Sequence, residues 1–166
     1  MLKKIIVLAF CIVPLCSFAQ KLGHLNSQEI FTAMPETATA DKTIKDKATE
    51  LQKTADGMRD EYNKAIKDFV DKRDSLSPAI QQAKQSEIAS LETRITTFNQ
   101  NAQNEIQKLQ QDLMQPILDK IKKAIDEVGA ENGYTYIFDM ASTSIVYHSD
   151  KSDDVTPLVK AKLGIK

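Results

Sequence analysis

The chain offers two histidines, His24 and His148, as its candidates for proton transfer or metal ligation. Imidazole titrates near neutral pH and is the commonest metal ligand. A zinc site needs three or four ligands, and a third ligand is not evident. A structural or solvent-facing role is therefore favoured over a metal pair. The two rings meet only if the first and last strands of the fold lie close together. A Ser-His-Asp site would have to use one of them and has no supporting motif. Asp150, Asp153 and Asp154 cluster as calcium ligands do, but the glycine and closing glutamate of a calcium loop are lacking. Negative charge at the start of the following helix is the favoured reading. Neither GxxxxGKS/T nor GxGxxG occurs in the chain, so no phosphate-cradling loop is expected and ATP is not an expected energy source. Catalytic, cofactor-binding and metal-binding residues are thus all expected to be none, and client-contacting residues are not identified.

Thiol chemistry depends on where the chain is cut. Lys3 and Lys4 precede an apolar run over residues 5–15, and Ser17-Phe18-Ala19 sets small residues at −3 and −1 before Gln20. This is the layout of a secretory signal peptide cleaved after Ala19. The run falls short of the about 20 apolar residues that a bilayer span needs, so a retained anchor is the weaker reading. A lipoprotein modified at Cys16 is a further alternative, although Leu15 stands where such a leader carries Gly, Ala or Ser. Cleavage removes both cysteines, Cys11 and Cys16. The mature chain then has no disulfide, thiolate metal site or cysteine nucleophile. Losing Lys3 and Lys4 from the 22 basic residues leaves them outnumbered by 23 acidic ones, so the exported protein is mildly acidic.

The elements that must position any site are mostly helical. The 166 residues allow one domain, or one with an appendage. Aromatic residues are 6% and Trp is absent, which is thin for an enzyme core and ordinary for long helices. The formal net charge of −1 gives no reason to expect nucleic acid. A heptad seam runs through Ile44, Ala48, Leu51, Ala55, Met58, Tyr62, Ala65 and Phe69. A second runs through Ile88, Leu91, Ile95, Phe98, Ala102, Ile106, Leu109 and Leu113, with one slip near Ala102. A 3.5-residue period sustained over several heptads predicts coiled-coil helices. Ser75-Leu76-Ser77-Pro78 breaks the two, with serine as a cap and Pro78 in the first turn of the new helix. The result is an antiparallel helical hairpin whose outgoing helix, residues 38–76, would be roughly 60 Å long. Charge runs on its outer faces read as solvated surface, with client contact as the alternative. Pro116 is expected to kink the returning helix, and Gly129 with Gly133 to stop it.

The two ends of the mature chain look different. Residues 134–139 alternate and are aromatic-rich, so they read as a strand, residues 144–148 as a second, and residues 21–26 as a short first one. Tyr134, Tyr136 and Phe138 would share one strand face, with core packing favoured over client contact. Thr156-Pro157 and Gly164 bracket a last helix over residues 157–163. The expected fold is α+β, mostly α, with a long antiparallel coiled-coil hairpin projecting from a small β-containing head. The expected divisions are residues 1–19 as cleaved leader, 20–37 plus 117–166 as head and oligomerisation body, and 38–116 as arm with its turn near 75–79. A head this small rarely gains more than about 3–5 kcal/mol without staples, and open strand edges invite pairing. Self-association follows as an expectation.

Three blocks carry a resemblance. KLGHLNSQEIFTAMPE at 21–36, PILDKIKKAIDEVGAENGYTYIFD at 116–139 and DDVTPLVKAKLGI at 153–165 resemble the two ends of the Skp/OmpH family of periplasmic chaperones. The likeness in order and spacing covers essentially all of 21–166, while the arm matches only as a heptad pattern. It implies a periplasmic homotrimer whose shared β body carries helical tentacles. The tentacles would enclose unfolded outer-membrane β-barrel proteins, with no nucleotide and no catalytic residue. The chain departs from the family in its mildly acidic charge, where members are often basic. It departs again at His24, where an apolar or aromatic residue is more usual. Peripheral contact with the envelope stays open.

Three readings follow. An ATP-independent holdase explains export, hairpin and terminal blocks together. A structural coiled-coil spacer or adaptor of the envelope explains the heptads but not the head. An enzyme has no nucleophile or metal constellation behind it. Near the tip the seam weakens, with Lys72 and Glu87 falling near core positions. Amide hydrogen exchange is therefore expected to be faster over residues 72–87 than over 95–113, and equal protection would refute a mobile tip.

Overall fold

The computed structural model describes residues 20–142 and 144–165. The leader read at 1–19, with Cys11 and Cys16, lies outside the described residues. The chain begins with β1 (Leu22–Leu25), α1 (Ser27–Ala33) and α2 (Pro35–Lys72). One turn of 3-10 helix, Arg73–Ser75, closes the tip, and α3 (Pro78–Asn132) returns. β2 (Tyr136–Asp139), β3 (Asp153–Asp154) and α4 (Thr156–Leu163) complete the order. Among the described residues no helix is long and apolar enough to cross a membrane.

The hairpin forms as the heptads predict. Every named seam residue except Ala48 is at least half-buried, and Ala55 and Leu91 are fully so, while most other positions of the arm face solvent. The antiparallel register is visible in two ion pairs between the helices: Glu36 meets Lys120, and Lys47 meets Glu105 at 3.0 Å. At the tip the Ser77 hydroxyl accepts from the Ile80 amide and Pro78 occupies the first turn. Lys72 and Glu87 are exposed, as the weakened seam requires.

Two local expectations need correction, while α3 stays helical through Pro116, which lines a cleft beside α2 together with Leu113 and Ile117. α2 starts at Pro35 rather than residue 38, because proline suits a first helical turn. Gly129 does not stop α3. Its Cα faces the Ile137 side chain, and Gly133, at φ 69°, takes the left-handed cap.

The sheet has three strands in the order β2-β1-β3, with both neighbours parallel to β1. Parallel neighbours need a crossover connection. Here the crossover between β1 and β2 is the entire hairpin, which explains why α3 outlasts α2. Beyond Lys120, which sits beside the start of α2, the returning helix continues over the sheet and buries Ile121, Ala124 and Val128. These join Leu25, Ile30, Met34, Ala40, Ile117, Val155 and Val159 in the core.

Polar groups fix the corner between sheet and helices. Asn26 caps α1 by accepting from the Glu29 amide at 3.1 Å, and its own amide donates to Thr156 Oγ1 at 3.1 Å. Thr156 therefore serves the corner and is the first residue of α4, not its cap. Asp139 accepts from the Ser27 amide at 3.1 Å, the Ser27 hydroxyl and the Ala141 amide at 3.0 Å. Burial opposes its charge, but these donors outweigh burial and hold the carboxyl below its ordinary 3.8.

Two outcomes follow. Ile30→Ala, at a site with no solvent exposure, should cost about 2–5 kcal/mol in urea unfolding, whereas Val70→Ala on the exposed arm should stay within about 0.5 kcal/mol. Asp139→Ala should cost about 2 kcal/mol at pH 7. Because folding lowers this carboxyl's pKa, its contribution is present above pH 3.8 and is lost as pH falls through the lower folded-state value. The gap between wild type and variant in urea midpoints should close in that acid range.

Candidate functional site

The sheet has two faces of opposite character. Gly23, Leu25 and Val155 are buried on the core face, where a Cβ on Gly23 would lie 3.2 Å from both the Tyr134 ring and Val155 Cγ1. The other face carries Leu22, His24, Tyr136 and Phe138. Tyr136 is 58% exposed and Phe138 39% exposed, and their rings stack with centroids 6.0 Å apart. The aromatic trio is thus split. Tyr134 precedes the strand, so the alternation does not reach it; it packs toward the core over Gly23, while Tyr136 and Phe138 remain uncovered. Core packing, the favoured expectation for all three, holds only for Tyr134.

The second expected strand also differs. Residues 144–148 are not a strand, and Asp153–Asp154 takes the free edge of β1 instead. With that edge filled, residues 144–148 pair with no strand among the described residues. Val146 is 94% exposed and Tyr147 80% exposed.

His24 and His148 do meet. Their rings stack with centroids 4.0 Å apart and planes 28° from parallel. His24 Nδ1 lies 3.0 Å from Ser152 Oγ, a distance at which a base could activate a hydroxyl. A triad needs a third group orienting the base, and Asp154 does not do so. Its Oδ1 accepts from the Thr156 amide at 2.9 Å, and it reaches both imidazoles only through charge. Desolvation opposes ionisation of Asp154; the Thr156 contacts and then the two imidazoles outweigh it and lower its pKa. Among the described residues no three His, Cys, Asp or Glu side chains gather to hold a metal.

The acidic cluster is divided. Asp154 acts at the start of α4, as charge near a helix N-terminus predicts. Asp153 instead accepts from the Tyr134 hydroxyl at 2.9 Å and lies 3.8 Å from Lys21 Nζ. The Tyr134 hydroxyl is pushed above its usual pKa, first by burial and then by this bond.

The arm offers clefts rather than a catalytic constellation. Midway along it, Ala48, Ala55 and Ala102 leave the seam underfilled beside Leu51, Phe98 and Ile106, in an open cleft of about 540 Å³. At the root a second of about 480 Å³ lies between Pro35, Ala40, Leu113, Pro116 and Ile117. Charges of both signs alternate along the hairpin, and some of them pair locally. Lys42 is raised by Asp46, Lys84 by Glu87, and Lys47 by Glu105 and then Glu50. Such exposed pairs add little stability, and they leave no single-sign field along the arm.

Two features of the surface escaped the sequence reading. The short α1 was missed, although Asn26-Ser27-Gln28-Glu29 has the polar cap and acidic third position of a helix start. The bond between His24 and Ser152 had no sequence signature, because its partners stand far apart in the chain.

Comparison with known proteins agrees with this architecture. Residues 21–163 match a family described as outer membrane protein (OmpH-like). The chaperone protein Skp of Yersinia enterocolitica is 25% identical over 142 residues, covering 83% of this chain and 82% of that protein. The crystal structure of an OmpH-like outer membrane chaperone from Caulobacter crescentus CB15 superposes with a TM-score of 0.74 at 14% identity. It covers 87% of this chain and 83% of that one, and so shares the fold. With the match spanning hairpin and head alike, this chain belongs to the OmpH-like family.

Proposed function

We propose that this protein is an ATP-independent holdase chaperone of the periplasm, which receives unfolded outer-membrane β-barrel proteins between helical arms. The observation that carries the reading is a long, thinly sealed two-helix hairpin rooted on a small sheet, in a chain of the OmpH-like family. A related protein is named as the chaperone Skp. The residues divide by role into a leader at 1–19, a head at 20–37 plus 117–166, and an arm at 38–116.

Self-association completes the container. The uncovered Leu22, Tyr136 and Phe138, together with strand-prone residues 144–148, support a second and third copy seated on the open sheet face. Three arms then raise the effective concentration of weak contacts around one client. Underfilled seams bend at little cost, and enclosure keeps a client's unpaired strands from other chains' edges.

The test is dilution of a urea-unfolded outer-membrane barrel protein into buffer containing the mature chain. Suppressed turbidity at threefold subunit excess, in a complex whose free chaperone has three times the subunit mass, is the expected result. Absence of suppression would favour an envelope spacer, and a monomeric mass would sink the container. Tyr136→Ser combined with Phe138→Ser should leave the circular dichroism of the helices in place while lowering the mass toward that of one subunit.

A further inference from the structure

We propose that His24 and His148 form a proton-sensitive latch that holds residues 144–152 against the open face of the sheet. Geometry carries the idea. Residues 144–152 include no regular element, yet they are tied to β1 at two points, the ring stack of His148 on His24 and the contact of Ser152 Oγ with His24 Nδ1. Both ties converge on the one side chain, His24. Between them lies a cavity of about 220 Å³, lined by Leu22, Phe138, Met140, Ile145 and Tyr147 as well as both histidines.

Two neutral imidazoles stack through their apolar faces. One imidazolium is tolerated, since the Asp154 carboxylate on β3 supplies opposite charge nearby. Two imidazolium charges at the 4.0 Å of this stack repel, and a single carboxylate does not cancel both. The other groups facing the pair do not compensate. From the β2 side come Phe138 and Met140, and from the loop come Ser149 and Tyr147, none of which is a carboxylate. Among the described residues lining the cavity there is no lysine or arginine. The latch is therefore closed while the stack carries at most one charge, and it opens when acid charges both rings. Opening releases residues 144–152 from His24 and uncovers Leu22 and Phe138 beneath them.

Hydrogen exchange on the full mature chain tests this directly. Between pH 7.5 and pH 5.0, after correction for intrinsic exchange, protection over residues 144–152 should fall roughly tenfold, while residues 117–128 keep theirs. His148→Phe keeps an aromatic ring in the stack and the contact of His24 with Ser152 while removing one charge, so it should hold the loop closed at both pH values. His24→Phe also loses the Ser152 contact, so its loop should be less protected than wild type at pH 7.5, with no further change at pH 5.0. Equal protection of the wild-type loop at both pH values would overturn the latch. So would a pH-dependent loss that persists in the phenylalanine variant that folds. The exchange is followed at a protein concentration where the mass is the same at both pH values, so that failure of self-association and failure of the latch are read separately.

Discussion

The parallel pairing of β1 with β2 is the constraint on which the rest of the molecule depends. Two parallel strands cannot be joined by a tight turn. The chain must leave one end of the sheet and re-enter at the other, and this protein uses the excursion to build its whole arm. Leu22 opposite Tyr136 and Leu25 opposite Asp139 set the register. The Asp139 contacts with Ser27 then fix where the outgoing path begins. The far part of α3 becomes the layer that covers the sheet. Arm and head are therefore not two modules joined by a linker, since one helix serves both.

That arrangement divides the apolar surface unequally. The densest burial lies where α1, α3 and α4 meet the sheet, around Ile30, Ile121, Val128, Val155 and Val159. The arm keeps one narrow seam with alanines at its middle, and its outer faces carry charges of both signs. The open sheet face spends none of its aromatic surface on the chain's own core. A single copy thus carries a densely packed root, a thinly packed extension and a part-exposed aromatic face.

The long periods were readable in the sequence because heptad spacing repeats many times and a misplaced residue changes little. The tip, with Ser77 and Pro78, was readable because capping chemistry is local. Errors gathered where tertiary partners decide. Gly129 looks like a helix breaker in isolation, and the packing of α3 against Ile137 overrides it. Residues 144–148 have strand character, but Asp153 and Asp154 reach the available edge. The alternation of 134, 136 and 138 is real in sequence and fails in space, because the strand begins only at Tyr136. The encounter of His24 with His148 could be stated only as conditional on strand order. No local pattern encodes the bond to Ser152.

The unbroken course of α3, Pro78–Asn132, makes it a lever whose short end lies on the sheet. At about 1.5 Å per residue, a tilt of roughly 5° at that fulcrum would swing the far end by about 5 Å. Sub-ångström repacking beneath Val128 and Ile137 is thereby magnified at the distal end of the rod.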